Sequence, residues 1–204
     1  DRFEVLLNDL LEISRYDAGA VAADFEIQDV NGVVGSAIAG LEPLAQSRGS
    51  VIEVDIPSGP VDAEIDGRRI ERLIRNLLAN AIEHGESRPI GVAVGMSDSA
   101  VAISVTDSGI GMSRAEVDRV FDRFWRADPA RKRTTGGTGL GLAISLEDTH
   151  LHGGWLQVWA KPNEGASFRL TLPRRQGMVF TQSPLPLPPA KKLKKSRQAG
   201  ANNE

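Results

Sequence analysis

The sequence predicts an α/β protein, a two-layer sandwich whose mixed, largely antiparallel sheet is covered on one face by helices at 29–48, 67–84 and 139–152. Three observations predict it. Apolar residues recur at helical spacing in those segments and at alternate positions in 90–96, 100–106, 155–160 and 166–172. The runs 90–96 and 100–106 flank Ser97-Asp98-Ser99, the pattern of a β-hairpin. The third is Arg68–Gly85, where Ile70, Leu73, Ile74, Leu77, Leu78 and Ala81 make one apolar helical face. Arg72, Asn76, Asn80 and Glu83/His84 make a separate polar stripe on the same helix. Two asparagines one turn apart are unusual, because the Asn amide competes with the backbone for hydrogen bonds.

The remaining elements follow in order. Residues 1–18 place Phe3, Leu6, Leu7, Leu10, Leu11 and Ile13 at helical spacing. A helix that opens on its apolar face with no cap is expected to begin upstream of Asp1, and Gly19 is its stop. Phe25 and Ile27 alternate with polar neighbours in a short strand. Val30, Val33, Val34, Ala37, Ile38, Leu41, Leu44 and Ala45 form the 29–48 helix, which Gly32, Gly35 and Gly40 weaken and which closes near Gly49. A strand over 51–56, a turn at Pro57–Pro60 and a strand through Val61, Ala63 and Ile65 lead into the 67–84 helix. Ser113, with Glu116 at the capping-box position, starts a short helix that runs to Phe121. Residues 126–138 are polar, basic and glycine-ended without periodicity, as expected of a mobile loop. Beyond Pro173 the pattern fails. Pro184, Pro186, Pro188 and Pro189, followed by KKLKKSR, predict a disordered tail over 174–204 that is proline-rich and then basic.

Composition narrows the function. The chain is 204 residues long, 41% hydrophobic and 25% charged, which suits one globular domain with appendages. It has no cysteine, so disulfides, thiolate metal sites and cysteine nucleophiles are excluded. No run approaches the length of a membrane-spanning helix and no signal peptide is visible, so the expectation is a cytoplasmic piece, within a parent free to span a membrane. The net charge of −3 hides an asymmetry: residues 185–204 carry a net +4, leaving −7 for the body. An acidic body argues against nucleic-acid binding by the folded part.

Two glycine clusters sit beside the asparagine stripe: Asp107-Ser108-Gly109-Ile110-Gly111-Met112 and Gly136-Gly137-Thr138-Gly139-Leu140-Gly141-Leu142. A carboxylate at a strand end, Asp107, can accept a hydrogen bond from an exocyclic amine such as that of adenine. Gly109 and Gly111 allow backbone to approach a flat ring. The 136–141 run opens a helix, whose N–H groups suit polyphosphate. It lacks the Lys-Ser/Thr of a P-loop and the Rossmann pattern. An Asn carbonyl oxygen suits Mg²⁺, which takes oxygen ligands while bridging protein to phosphates. Together these elements describe a Mg-ATP site.

In that order the motifs resemble the catalytic and ATP-binding domain of bacterial sensor histidine kinases, within the GHKL ATPases and their Bergerat fold. NLLANAIEH (Asn76–His84) resembles the N box, DSGIGM (Asp107–Met112) the G1 box, VFDRFWR (Val120–Arg126) the F box and GGTGLGLAI (Gly136–Ile144) the G2 box. HGG (His152–Gly154) and EGASFRLTLP (Glu164–Pro173) match further, and the pattern is similar to that of the Mtr-type kinases of actinobacteria. The resemblance implies that Asn80 ligates Mg²⁺ and Asn76 supports phosphate. Asp107 would bind the adenine amine, Gly109 and Gly111 would shape the base pocket, and His84 would be among the nucleotide-binding residues. Gly137, Thr138, Gly139, Leu140, Gly141 and Leu142 would meet phosphate, mainly through backbone. Residues 126–138 would be the ATP lid, with Arg126 and one of Arg131, Lys132 or Arg133 reaching phosphate and Phe121 and Phe124 anchoring it.

Residues 1–18 resemble the end of the second helix of the dimerisation and phosphoacceptor hairpin, leaving 19–173 as the catalytic domain. The sequence departs from the family at Glu83, where a lysine often stands, and at Ala166, where a threonine often stands, leaving Ser167 as the nearby hydroxyl. No histidine here has phosphoacceptor surroundings, so His84, His150 and His152 read as structural and the substrate histidine is expected upstream. The implied function is transfer of the ATP γ-phosphate to that histidine, in a homodimer of a membrane sensor, for relay to a response regulator. The alternative is a GHKL ATPase driving conformational closure, with Glu71 or Glu83 as base.

Overall fold

The computed structural model describes residues 2–126 and 138–188. The chain runs through α1 (Arg2–Asp17), β1 (Glu26–Asp29), α2 (Val30–Ser47), β2 (Ile52–Asp55), β3 (Asp62–Ile65), α3 (Gly67–His84), β4 (Ile90–Met96), β5 (Ala100–Thr106), α4 (Arg114–Val117), α5 (Gly141–Leu151), β6 (Trp155–Lys161) and β7 (Gly165–Pro173). Five strands lie in the order β2-β4-β5-β7-β6, antiparallel except for β2 against β4. The expected mixed sandwich is therefore present. β1 and β3, however, pair only with each other in a separate two-stranded sheet. In that ribbon Ile27 is 62% exposed, so the apolar alternation read at Phe25 and Ile27 does not mark a buried face.

Strand alternation sorts the sheet's two sides. Val101, Ile103 and Val105 of β5 and Phe168, Leu170 and Leu172 of β7 face the helices, where they meet Ile70, Leu73, Ile74, Leu77 and Leu78 of α3. Each such aliphatic side chain, once buried, contributes about 1.5–3 kcal/mol. Both long helices on this face are capped from the strands before them. Asp29 accepts the Asn31 N–H at the start of α2, and Asp66 accepts the Arg69 N–H at the start of α3. Ser113 and Glu116 form the predicted capping box, but α4 ends at Val117 and the chain then turns towards Phe121.

The opposite side of the sheet is also covered. The expectation of a disordered tail from 174 meets an ordered strap over 174–188. Phe180 is 8% exposed and stacks on Trp155 of β6, ring centroids 4.4 Å apart. Ser183 pairs with the Thr171 hydroxyl, Leu185 O accepts from Arg169 of β7, and the Leu185 side chain lies over Gly95 of β4. A Cβ on Gly95 would fall 2.8 Å from Leu185 Cδ2. Residues 189–204, with the basic run, lie outside the described residues.

α1 binds in the reverse of the usual sense. Phe3 is 69% exposed, and Val5, Leu7, Leu10 and Leu11 are exposed too. The face turned to the body is chiefly polar: Asp9, Glu12, Tyr16 and Asp17, with Leu6 and Ile13 packed against Leu140, Ala143 and Ile144.

Candidate functional site

α3 is the spine of the site. Near its middle, Asn76 Nδ2 donates to Gly141 O at 3.2 Å and to Ser145 Oγ at 3.3 Å, tying α3 to the start of α5. Two turns on, the His84 carbonyl accepts the Ile110 N–H at 3.3 Å. A Cβ on Gly109 would fall 1.8 Å from that same oxygen, so only glycine lets the chain after β5 close against the end of α3. Asn80 stands between these two docking points, about 6 Å along the axis from each. Its half-buried amide has no hydrogen-bond partner among the described residues.

The Asp107 carboxylate is 6% exposed and accepts the Gly109 N–H at 2.9 Å, while the Asp107 N–H donates to Ala166 O. Burial raises its carboxyl above the usual range, and the Gly109 N–H partly opposes the rise by bonding the ionised form. The His84 imidazole acts in the same sense, and its Nδ1 is buried with no hydrogen-bond partner among the described residues. Gly111, at φ +63°, lies where a Cβ would sit 1.9 Å from Lys161 O. Gly165, at φ +88°, lies where one would sit 2.1 Å from Asp107 O. Gly165 belongs to the pocket wall as firmly as Gly109, yet the sequence showed it only as part of a closing motif. Ser167 cannot serve the pocket: its hydroxyl meets Thr106 Oγ1 at 2.8 Å, and the two alternate away from Ala166, Phe168 and the core. The hydroxyl left nearby where the family often has a threonine therefore points away from this wall.

The boxes on either side of residues 127–137 are clasped together. Phe121 packs edge-on against Phe168, centroids 6.2 Å apart, so its side chain anchors the segment. Phe124 is 58% exposed and anchors instead through backbone: at φ +62° its N–H donates to Gly139 O at 2.9 Å. Gly139 is itself at φ +75°, where a Cβ would approach Phe124 Cα to 3.0 Å. The Thr138 hydroxyl accepts the Leu140 N–H at 3.2 Å and donates to Asp9 Oδ2 at 2.8 Å. The Leu140 side chain is wholly buried, leaving only backbone to face a ligand, and Leu142 packs partly on the core. Among the described residues no side chain caps the first N–H groups of α5, at Gly141 and Leu142. Arg126 is half-buried at the near edge. Gly137, Arg131, Lys132 and Arg133 lie outside the described residues.

One cluster was not visible in the sequence. Asp148 of α5, fully buried, binds Arg69, Arg72 and the Tyr16 hydroxyl, while Glu12 binds the same two arginines. Burial, and then the hydrogen bond to Asp148, drive the Tyr16 hydroxyl well above the ordinary tyrosine range. His152 is structural, as expected. Its Nε2 accepts the Asp66 N–H at 3.0 Å, so Nδ1 carries the proton and donates to Asp148 O at 2.6 Å. Burial lowers its pKa. His150 is exposed on α5.

Residues 65–176 match the profile of the histidine kinase-, DNA gyrase B-, and HSP90-like ATPases. The chain is 51% identical over 189 residues, 93% of its length, to the sensor histidine kinase MtrB of Mycobacterium tuberculosis. It is 36% identical over 173 residues, 85% of its length, to the signal transduction histidine-protein kinase AfsQ2 of Streptomyces coelicolor. It spans about a third of these relatives, 33% and 31% respectively. Among solved structures, full-length ShkA in complex with AMPPNP superposes with a TM-score of 0.75 at 26% identity, covering 86% of this chain and 36% of that one. No helix among the described residues is long and apolar enough to cross a membrane.

Proposed function

Because the chain belongs to the family of histidine kinase-, DNA gyrase B- and HSP90-like ATPases, we propose that it is the nucleotide-binding catalytic part of a two-component sensor kinase. It binds ATP with Mg²⁺ and presents the γ-phosphate to a histidine on the hairpin of a larger, homodimeric, membrane-anchored protein, for relay to a response regulator. The observation that carries this reading is the position of Asn80. α3 docks on the phosphate loop at Asn76 and on the Asp107 pocket at His84, and Asn80 lies midway with an unused amide.

Mg²⁺ fits this position. The Asn80 carbonyl is an uncharged oxygen ligand with no protein partner among the described residues, as expected of an ion that shares its shell with water and phosphate. Bound there, the ion would neutralise charge on the transferring phosphoryl group. The protein's own contribution is positioning. Asp107 accepts the exocyclic amine and so selects adenine over guanine. Gly109, Gly111 and Gly165 bring backbone close enough to wall the base. Asn76 fixes α5, whose uncapped N–H groups at Gly141 and Leu142 face phosphate with Gly139 and the Leu140 backbone. Arg126 adds positive charge.

The exposed apolar stripe of α1, Phe3, Leu7, Leu10 and Leu11, suits the inward face of a helical hairpin. The test is phosphotransfer from labelled ATP to a separate hairpin fragment carrying the upstream histidine, resolved on neutral or alkaline gels. Label should appear on the hairpin and not on a His→Gln hairpin. Label on His84, His150 or His152 of this chain would overturn the reading. Steady phosphate release without a hairpin, abolished by Glu71→Ala or Glu83→Ala, would assign the ATPase alternative instead.

A further inference from the structure

α1 meets the body along a single stripe, Leu6, Asp9, Glu12, Ile13, Tyr16 and Asp17, and the stripe falls on the borders of the phosphate loop. Asp9 accepts the Thr138 hydroxyl at 2.8 Å, and Thr138 Oγ1 in turn holds the Leu140 N–H at 3.2 Å. A carboxylate from α1 thus ends a relay on the G2 segment. The backbone N–H and hydroxyl that a phosphate oxygen would use are already satisfied by protein. At the other border Asp17 chelates Arg123 with 2.6 and 2.8 Å hydrogen bonds, and Glu147 of α5 lies 3.8 Å from the same guanidinium. Ile13 and Leu6 seat the helix on Leu140, Ala143 and Ile144. Asp9 thus occupies a group assigned to phosphate, while Asp17 fastens α1 to Arg123, next to the Phe124–Gly139 clasp.

We infer that docked α1 is an internal competitor for the nucleotide's phosphates: Asp9, acting through Thr138, is a positioning residue that keeps the G2 segment satisfied until α1 shifts. This rests on the nucleotide-site reading above and adds to it a coupling between α1 and phosphate. Because coupling free energies are reciprocal, triphosphate binding must loosen α1 by the same factor by which α1 docking weakens triphosphate binding. The adenine end, at Asp107 and Gly109, touches none of the α1 residues involved. The competition therefore acts on AMPPNP and spares adenosine.

The test is calorimetric titration of the full chain with AMPPNP and, separately, adenosine, for wild type, Asp9→Asn, Asp17→Asn and the double variant. AMPPNP affinity should rise about fivefold in each single variant and further in the double, with adenosine affinity unchanged. A structural role alone would shift both ligands together or neither, and an unchanged affinity ratio overturns the inference. Hydrogen exchange on the wild-type chain gives an answer independent of how the variants fold. Saturating AMPPNP should speed exchange of the α1 amides, and unchanged or slower exchange refutes the coupling. A wild-type chain that binds neither ligand would instead remove the underlying nucleotide-site reading.

Discussion

Asp107→Asn should trade binding for stability. The carboxylate is 6% exposed, and burial raises its pKa, so the folded protein holds the charged form at a cost. For a raised folded-state pKa, the group's contribution to stability is fully present below the unfolded pKa and is lost as pH rises through the folded one. At neutral pH Asp107 therefore destabilises the fold, and an isosteric neutral amide relieves that. Asn can still accept the Gly109 N–H through its carbonyl oxygen, so the local turn survives. Its NH₂, however, would face the adenine amine donor to donor. A hydrogen bond to a charged group is worth about 1.5–3 kcal/mol, so ATP affinity should fall from about tenfold to about a hundredfold. The melting temperature should rise, at about 2–4 °C per kcal/mol for a chain of this size. Wild-type ATP affinity should itself weaken as pH falls through the raised carboxyl pKa, a dependence that Asp107→Asn abolishes. Calorimetry between pH 5 and 8 and thermal melts at pH 7 decide the matter. A variant that binds ATP as tightly as wild type, or that melts lower by as much as Asp107→Ala, would refute the reasoning.

Asn80→Ala should remove the Mg²⁺-dependent share of ATP affinity and leave the metal-free share; if titrations with EDTA fall as far as those with Mg²⁺, Asn80 is not a ligand. Asp148→Ala should cost about 2–3 kcal/mol in denaturant unfolding, below the 3–5 kcal/mol of a fully buried pair because Arg72 can regain water. Less than about 1 kcal/mol lost would show the cluster to be energetically idle. Phe180→Ala should cost about 2 kcal/mol, since the ring is buried on Trp155 rather than in the deep core. It should change tryptophan fluorescence and leave ATP affinity alone, and an unchanged melting temperature would show that the strap is not part of the folded unit.

The parts legible in the sequence were those where one chemical signal repeats at one period. Ile70, Leu73, Ile74, Leu77 and Leu78 declare α3 by spacing, and Val101, Ile103 and Val105 declare the inner face of β5 in the same way. Asp107 and the glycines after it could be placed because few other residue types accept those backbone approaches. What stayed hidden depends on partners far apart in sequence. Asp148 reads as a helix-surface acid until α1 and α3 bring Tyr16, Arg69 and Arg72 to it. Ser167 is the nearby hydroxyl in sequence, yet strand alternation sets it, buried, against Thr106 and away from Ala166. α1 divides its apolar stripe: Leu6 and Ile13 pack on Leu140, Ala143 and Ile144 while Phe3, Leu7, Leu10 and Leu11 stay exposed, and the ion pairs of Glu12 and Asp17 that complete the docking face involve partners no local spacing shows. The strap could have been suspected from Met178-Val179-Phe180, an apolar triplet just past a strand. Its prolines, the signature of unstructured chain, outweighed that signal.

The clasp between Phe124 and Gly139 also bears on how this protein can be altered. With those two backbones hydrogen-bonded and both held at positive φ, the ends of the intervening 14 residues are set by the fold and not by what lies between them. Gly139→Val, whose side chain can neither hold φ +75° comfortably nor clear Phe124, would therefore unfasten both ends with a single change, which makes this one contact the place where the entry and exit of the phosphate loop are set together.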